Sequence, residues 1–488
     1  HHLDFLAGYE IDDTYNDYLS GEAYNFTTPD KHAISNGMKT VSVGGSDSRY
    51  RLVSYLSRLN YDYKNKYYLG ASFRVDGSSR LHRDNRWGTF WSVSGAWRTI
   101  EEEFMQPVKD WLTDLRIRAS YGVNGTLPSD YFGYMGLSSI SGGYLEQPGI
   151  QMSQIANPNL KWETNYNMNI GLDFGFWDRL NFTIEYYTRT TKNLLMDCPV
   201  SMTTGFSSYL MNIGEVKNKG IELTINSTNI KIKDFNWNTT FNLGHNSNKV
   251  VKLDGEQTQI VSGTQIHKVG SSYRTFYVQE FAGINPETGN PLFYTNELDE
   301  NGNYIKEITE NSKNAQFIPY KHAEPTVNGG ISNSLRYKWL DLNFLFSYQF
   351  GGYSYDTWAQ KTEHGGYDSY ANIPTYYRDS WKKPGDQTNI EVYMPGKSSS
   401  VSMHKITSSR RIHSTDYFRL KNITFGITLP KEWTNKINIG NVRFYASASN
   451  LWTWAAYDNY DPEAVSAGSA TQTTPPLKTV TFGLNINF

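Results

Sequence analysis

The stretch "TVTFGLNINF", residues 479–488, alternates strictly between apolar and polar or small residues. Its apolar members stand at every second position and include the last residue: Val480, Phe482, Leu484, Ile486 and Phe488. Successive side chains of a β-strand point to opposite faces of the sheet, so this strand has one apolar and one wet face. The pattern is typical of a sheet that separates an apolar phase from water.

The same alternation recurs along the whole chain and predicts 14 strands, many of them about ten residues long. A tilted strand needs about that length to cross a bilayer. The polar face repeatedly carries Arg, Asp, Asn and Gln, which suits a water-filled lumen. The predicted strands are 3–10, 50–62, 66–75, 88–99, 115–122, 163–176, 180–186, 216–227, 234–246, 326–337, 339–350, 414–429, 440–451 and 478–488.

The connections between these strands alternate in length, which favours a membrane barrel over a soluble β-sandwich. One end of the sheet has the shorter links, at 63–65, 100–113, 176–179, 228–233, 337–338 and 430–439. The other end has the long ones, at 11–49, 125–162, 191–215, 247–325, 351–413 and 452–477, with a modest one at 76–87. Outer-membrane barrels have short periplasmic turns and long external loops. The sequence therefore predicts an all-β, transmembrane antiparallel β-barrel in a Gram-negative outer membrane.

Composition and motifs limit the classes of function that the chain could have. The formal net charge is −2, which gives no sign of a nucleic-acid partner, and one cysteine excludes an intrachain disulfide framework. No catalytic motif, cofactor motif or tight metal-ligand spacing is evident. The stretch "TNELDENGNY" at 295–304 crowds oxygen ligands but lacks the EF-hand spacing, so a hydrated hairpin is expected there and calcium is the minor alternative.

Several segments together resemble the SusC/RagA-like TonB-dependent transporters of Bacteroidetes. They are "SRLNYDYKNKYYLGASFRVDGSSRL" at 57–81, "WLTDLRIRASYGVNG" at 111–125, "NPNLKWETNYNMNIGLDFGF" at 157–176, "GEVKNKGIELTI" at 214–225, "FRLKNITFGITLP" at 418–430, "VRFYASASNLWTW" at 442–454 and "DNYDPE" at 458–463. Each motif alone is weak, but their order and spacing extend over nearly the whole chain.

The resemblance implies a 22-stranded barrel with an N-terminal plug. Residues 1–488 would be the C-terminal part of that barrel domain, with the plug, the TonB-interacting segment and the first eight strands lying outside this chain. It also implies TonB-dependent import together with a SusD-like lid lipoprotein, in outer-membrane lipid, without cofactor or covalent chemistry. A dimer of transporter–lipoprotein pairs is a further expectation.

Oligosaccharides are the expected cargo, on the habits of the family alone, and oligopeptides are the alternative. A siderophore or cobalamin receptor without a lid, an outer-membrane enzyme and an adhesive barrel are the other hypotheses. An enzyme would need a nucleophile with its base near a membrane edge, and no such set is evident.

Two sets of side chains are candidates for function. Aromatic rings in the long outer connections could stack on a substrate or could form the interfacial girdle of the barrel: Tyr134, Tyr353, Tyr355, Trp358, Tyr367, Tyr370, Trp454 and Tyr457. Charges on the polar face are expected to pair with each other or to hold the plug: Arg116, Arg118, Glu163, Asp173 and Asp341. The terminal Phe488 is the expected signal for outer-membrane assembly.

Overall fold

A computed structural model describes residues 1–487 except 29, 32, 145–146, 254–257, 368–371, 397–402, 404–405, 435, 437–438 and 471–472. One sheet of 14 strands runs through it, and the strands follow each other in chain order. The predicted all-β class and the predicted number of 14 strands in the barrel wall, which is this large sheet, are thereby confirmed. The strands are β1 (His2–Phe26), β2 (Gly37–Tyr63), β3 (Tyr67–Ser78), β4 (Trp87–Trp97), β5 (Leu112–Thr126), β6 (Glu163–Phe176), β7 (Leu180–Lys192), β8 (Glu215–Lys231), β9 (Phe235–Lys252), β10 (Val327–Tyr337), β11 (Leu340–Phe350), β12 (Tyr417–Thr428), β13 (Asn441–Ala455) and β14 (Thr479–Asn487).

The first hairpin corrects one prediction. Residues 11–49 are predicted as a long connection, but β1 and β2 continue through most of that range in a ladder that runs from His2↔Asp62 to Phe26↔Gly37. The backbone of a hairpin pairs whether or not one face is apolar. Beyond Ile11 the residues are mostly polar on both faces, so the alternation that marks a membrane strand ends while the strand itself continues.

The first of two compact units comprises His1–Trp97, Arg118–Met168 and Arg189–Glu215. Its long connections form two small hairpins, one of Leu137–Tyr144 with Gln147–Gln154 and one of Leu195–Pro199 with Ser208–Asn212. A buried cluster of Leu81, Phe90, Leu160 and Trp162 joins the strand ends to these connections.

The second unit comprises Arg98–Ile117, Asn169–Thr188 and Val216–Phe488. Its long connections also fold into small sheets, and two buried clusters support them, one around Phe276 and Tyr355 and one around Phe293 and Met403. The strands of these sheets are Gln259–Ser262, Gln265–Lys268, Thr275–Gln279 and Phe317–His322; Phe281–Ile284, Pro291–Tyr294 and Ile308–Thr309; Glu297–Leu298 and Tyr304–Ile305; and Tyr353–Asp356, Ile412–Ser414, Val465–Ser466 and Ser469–Ala470.

Helical segments are short. Among the residues that the structure describes, they are the α-helices α1 (Thr357–Thr362) and α2 (Lys431–Thr434) and the 3-10 helices Ile34–Asn36, Thr99–Glu101, Glu103–Val108, Met202–Thr204, Ser312–Asn314, Thr375–Asp379, Ser409–Arg411 and Pro462–Ala464. In the part of the chain that the structure describes, no helix has both the length and the apolar character needed to cross a membrane.

Candidate functional site

A buried arginine joins the sheet of the second unit to the connection between β13 and β14. Arg419 stands near the start of β12, and its side chain is only 3% exposed. Its Nη2 donates to Oδ2 of Asp461 over 2.6 Å, its Nη1 donates to Glu463, and its Nε donates to Oγ1 of Thr453 over 3.0 Å. All three guanidinium nitrogens are therefore used, two of them by carboxylates.

Glu463 is shared by neighbouring groups of the same strand. The hydroxyl of Tyr417 donates to Oε1 of Glu463 over 3.0 Å, and Nζ of Lys421 donates to its Oε2 over 2.7 Å. Two cations thus meet two carboxylates, so the network carries no net charge. Ions removed from water need this pairing, since each one alone would cost several kcal/mol in the interior. The network fixes the Asp461–Glu463 turn against the sheet.

A cavity of about 790 Å³ lies beside this network. Two tryptophans in its lining stay half exposed, Trp358 at 50% and Trp454 at 48%, while most of its other side chains are polar. A second cavity of about 290 Å³ shares Trp358 and Asn459 with the first. The larger cavity is lined by Trp358, Arg419, Asn450, Thr453, Trp454, Ala455, Asp458, Asn459, Tyr460, Asp461, Pro462, Ala470, Thr473, Pro475, Pro476 and Lys478.

The position of Tyr457 is fixed next to this lining by three contacts. Its hydroxyl donates to Oδ2 of Asp356 over 2.9 Å and accepts from Nδ2 of Asn459 over 2.6 Å. Its ring stacks on His413 with centroids 3.7 Å apart and planes 3° from parallel. Asp356 in turn caps α1, because its Oδ1 accepts from the amide of Ala359 over 2.8 Å. The helix that carries Trp358 is thereby tied to the connection that carries Asn459.

Burial keeps these aromatic hydroxyls protonated. It raises the pKa of Tyr457, and the negative charge of Asp356 raises that pKa further. Burial also raises the pKa of Tyr460 to about 12, although a hydrogen bond with Ser354 opposes the shift. Both phenols are therefore neutral hydrogen-bonding groups at physiological pH, suited to binding polar ligands rather than to acid–base catalysis.

The predicted aromatic residues separate into distinct places. Trp358 and Trp454 line the larger cavity, and Tyr457 supports it. Tyr355 is fully buried, and Tyr353 packs against the same cluster, so both rings support the loop sheet. Tyr367 is 38% exposed, and its amide donates to the carbonyl of His364.

The other predicted residues of this kind lie elsewhere. Tyr134 belongs to the first unit, where it packs on the cluster of Leu81 and Leu160 and meets His82 edge-on at 6.0 Å. Tyr370 and Phe488 lie outside the residues that the structure describes. Their predicted roles in binding and in assembly stay predictions.

The predicted polar-face charges form pairs in part. Nη2 of Arg116 lies 2.8 Å from Oδ2 of Asp173, whose other oxygen accepts from Thr183. Oε1 of Glu163 accepts from the amide of Leu195 over 2.8 Å. Arg118 stands two residues after Arg116 on β5.

Asp341 pairs with a residue that the sequence did not single out. Arg443 of β13 reaches it across β12, with Nε 3.1 Å from Oδ1 and Nη2 2.6 Å from Oδ2. The pair passes over Gly426, where any side chain would overlap both partners. A cavity of about 350 Å³ lies at this place, lined also by Arg336, Lys338 and Asn343.

Sequence reasoning missed Arg419, Asp461 and Glu463 as functional residues. The signal was present, because "FRLKNITFGITLP" and "DNYDPE" both stood out as motifs and carry opposite charges. Nothing in the sequence says that the two stretches meet, since one connection and a whole strand separate them. The structure brings them together.

Comparison with known proteins settles the family. The family model described as TonB dependent receptor-like, beta-barrel matches residues 2–295. TonB-dependent receptor P3 of Formosa agariphila is 32% identical over 519 aligned residues, covering 100% of this chain and 51% of that protein. The chain belongs to the TonB-dependent receptor family. TonB-dependent receptor SusC of Bacteroides thetaiotaomicron is 30% identical, covering 97% of this chain and 47% of SusC.

A solved structure shows which type of TonB-dependent receptor this barrel resembles. The structure of the RagAB peptide transporter superposes with a TM-score of 0.85 at 27% identity, covering 100% of this chain and 53% of that chain. The resemblance to the SusC/RagA type is thereby confirmed, as is the outer membrane as its location. The chain spans about half the length of the curated relatives it matches.

Proposed function

We propose that this chain is part of an outer-membrane importer of the SusC/RagA type that takes up oligosaccharides in a TonB-dependent manner. The observation that carries the proposal is the cavity of about 790 Å³, whose lining combines two half-exposed tryptophans with several polar side chains. Flat rings stack on the apolar faces of sugars, while amides, carboxylates and hydroxyls can bind sugar hydroxyl groups. Binding and release across a membrane require no covalent step.

The polar groups of this cavity suit a hydroxyl-rich ligand. Asn450 and Asn459 offer both donors and acceptors, Asp458 offers acceptors, and Lys478 offers donors. Arg419 and Asp461 also line the cavity, but they bind each other and shape its wall. A neutral ligand with many hydroxyl groups can use such a mixed set without leaving a buried charge unpaired.

Oligopeptides are the second candidate cargo. The observation that favours them is the high structural similarity to a peptide transporter, with a TM-score of 0.85. Lys478 and Asp458 carry opposite charges and could bind the two termini of a short peptide. The two cargo classes share the same cavity in this proposal.

The parts of the transporter outside this chain, and its partner proteins, are proposed from the family. The 14-stranded sheet would be the larger part of a 22-stranded barrel domain, with a plug and a TonB-interacting segment in the full-length protein. A SusD-like surface lipoprotein would close over the outer connections, and two such pairs could associate. In this proposal Arg116 with Asp173 and Asp341 with Arg443 stabilise the polar face of the wall.

The test is to purify the full-length transporter under mild detergent conditions with every protein that stays bound, and to identify retained ligands by mass spectrometry. A co-purifying lipoprotein with retained sugar supports the proposal, and retained peptide supports the second candidate. A barrel with neither a lipoprotein nor TonB-dependent uptake in cells would contradict the importer.

The cavity is tested with the retained ligand by calorimetry. Trp358→Ala and Trp454→Ala should each weaken binding about tenfold, because a stacking contact contributes roughly 1 kcal/mol or more. Trp433→Ala is the matched control, since Trp433 is also exposed but lies on α2, in the connection that follows β12. Equal loss in all three variants would exclude the cavity as the binding site.

A further inference from the structure

Two triads of aromatic rings lie on one face of the β1–β4 sheet in the first unit. Tyr63 stacks on Tyr67 at 6.2 Å, and Tyr67 stacks on Trp97 at 6.4 Å. Near the other ends of these strands, Tyr9 meets Tyr55 at 5.1 Å, and Tyr55 stacks on Trp87 at 6.3 Å. The register of these strands places all six rings on the same face.

The space between the triads is apolar. The exposed side chains there include Leu59, Leu69, Phe73, Trp91 and Val93. From Trp87 to Trp97 the strand β4 extends about 33 Å at about 3.3 Å per residue, and at a tilt of about 40° this length spans about 25 Å along the membrane normal, which is the height of the apolar band in outer-membrane barrels. Such barrels carry aromatic girdles at both edges of this band. The two triads therefore mark the two edges of the bilayer on this face.

The connections identify which edge is the outer one. The Tyr63–Tyr67–Trp97 triad lies at the tight turn between β2 and β3, as expected for the periplasmic end. At the other triad, β1 and β2 continue well beyond Tyr9 and Tyr55. The Tyr9–Tyr55–Trp87 triad therefore lies at the outer leaflet.

Two arginines follow immediately outside this outer triad, on the same face. In the register, Tyr9↔Tyr55 is followed by Ile11↔Val53, Asp13↔Arg51 and Tyr15↔Arg49. Nε of Arg51 lies 2.9 Å from Oδ2 of Asp13, and Nε of Arg49 donates to Oδ1 of Asp13 over 2.6 Å. The side chains of Arg49 and Arg51 are 53% and 58% exposed.

One carboxylate cannot satisfy two guanidinium groups. Each guanidinium has five N–H donors, whereas a carboxylate offers about four acceptor positions. The trio of Asp13, Arg49 and Arg51 also carries one net positive charge. The next pair outward on the same face is Asp17 opposite Asp47. An anion is therefore attracted beside Arg49 and Arg51 and repelled further from the membrane.

We propose that Arg49 and Arg51 bind the phosphate group of a phosphorylated glycolipid of the outer leaflet. Arginine recognises phosphate through paired hydrogen bonds, and the site lies directly above a surface that contacts acyl chains. Tyr9, Tyr55 and Trp87 would hold the sugar–acyl boundary of the same lipid. The site is on the lipid-facing side and is independent of the imported cargo.

The test uses the full-length transporter with its bound partners in detergent, and diphosphoryl lipid A as the probe in native mass spectrometry. An arginine near a membrane surface changes anionic lipid binding about fivefold, so Arg51→Gln should lower retention about fivefold and the double variant Arg49→Gln, Arg51→Gln about 25-fold. Lys64→Gln is the matched control, because Lys64 lies over Tyr63 at the opposite edge. Its retention should equal that of the unmodified protein.

Asp13→Asn separates lipid binding from a purely structural role. It releases both arginines from their carboxylate, so retention of lipid A should rise, whereas a structural ion pair would only lose stability. Dephosphorylated lipid A should bind equally weakly to all variants, and inorganic phosphate should not displace lipid A. The proposal is overturned if the double variant retains lipid A normally, if the lysine control loses as much, or if dephosphorylated lipid binds as well. Heat-dependent gel migration verifies that each variant is folded, and Asp13→Asn alone remains decisive if the double variant is not.

Discussion

Nη2 of Arg419 lies 2.6 Å from Oδ2 of Asp461, and both side chains are more than nine-tenths buried. This contact joins the start of a wall strand to the connection that lines the larger cavity. Arg419 also contacts Glu463, so a single side chain holds two of the three carboxylates of the "DNYDPE" motif. The shape of the candidate binding site therefore depends on a buried charge pair.

Arg419→Gln should destabilise this region strongly. The variant leaves two carboxylates without their main partner, and breaking a buried ion pair from one side costs about 3–5 kcal/mol. Hydrogen exchange of residues 456–464 should become much faster, and ligand affinity should fall with it. Arg83→Gln is the control, because Arg83 is 79% exposed and its pairing contributes little.

A double-mutant cycle checks the cause. If Arg419 and Asp461 act as a pair, Asp461→Asn should cost less in the Arg419→Gln background than in the unmodified protein, by about 1–3 kcal/mol of coupling. Additive effects of the two substitutions would show that Asp461 is not the group that makes Arg419 important.

Gly426→Ala should disrupt the ion pair of Asp341 and Arg443. A methyl group at this position would occupy the path between the two side chains, so the pair must separate or the strands must shift. We expect a loss of about 1–3 kcal/mol in the free energy of unfolding, measured by denaturant titration in detergent. Gly95→Ala is the matched control, because a methyl group there meets only ordinary contacts at 3.8 Å. Equal stability of the two variants would contradict the role of Gly426.

The wall could be predicted from the sequence because it lies between two phases. In β14, Val480, Phe482, Leu484 and Ile486 share one face, and this period of two is visible without any knowledge of partners. The outer half of the β1–β2 hairpin could not be predicted in this way. On the face that carries Tyr9 and Ile11, Asp13 and Asp17 take positions that would be apolar in a membrane strand, so the alternation ends there.

For the candidate binding site, the sequence predicts the types of residue but not which residues contact each other. The sequence predicts Trp358 and Trp454 in outer connections; Trp358 lies on α1 and Trp454 lies at the end of β13 instead, and both line the cavity. The partners of charged groups depend on strand register and on the path of long connections, neither of which is encoded locally. The sequence therefore predicts Asp341 as one of several lumen charges. It does not predict the partner Arg443, because a whole strand separates the two residues.

Acidification should loosen the contact of His413 with Tyr457. Burial lowers the pKa of His413 below its ordinary value of 6.5; Arg410 and Arg411 act in the same direction, while Asp356 and Glu363 oppose it. An unfolded segment therefore binds a proton at a pH where the folded one does not. The contribution of neutral His413 to stability is complete above pH 6.5 and is lost as the pH falls through the lower, folded pKa.

This dependence can be measured as hydrogen exchange of residues 412–414 and 456–460 between about pH 7.5 and pH 5.5, corrected for intrinsic rates. Protection should fall on acidification in the unmodified protein. His413→Phe keeps an aromatic ring against Tyr457 and cannot be protonated, so its protection should be nearly independent of pH in this range. If the phenylalanine variant shows the same fall, another group is responsible.

Asn165→Leu should destabilise the outer part of the first unit. Oδ1 of Asn165 accepts from Nε and Nη2 of Arg189 at 3.1 and 2.9 Å and from Oγ1 of Thr191 at 2.7 Å, and the side chain is fully buried. Its Nδ2 donates to Thr126 over 3.1 Å. Leucine has a similar volume but no acceptor, so the buried hydroxyl of Thr191 and the exposed guanidinium of Arg189 lose their partner.

We expect the free energy of unfolding to fall by about 1–3 kcal/mol, because the buried hydroxyl of Thr191 is left without its acceptor, and an unpaired buried donor costs more than an average hydrogen bond contributes. Asn167→Leu is the matched control on the same face of β6, since Asn167 bonds only uncharged groups, Asn124 and a backbone carbonyl. It should cost about 1 kcal/mol. A similar loss for both variants would mean that the acceptor for Thr191 and Arg189 is not what makes Asn165 important.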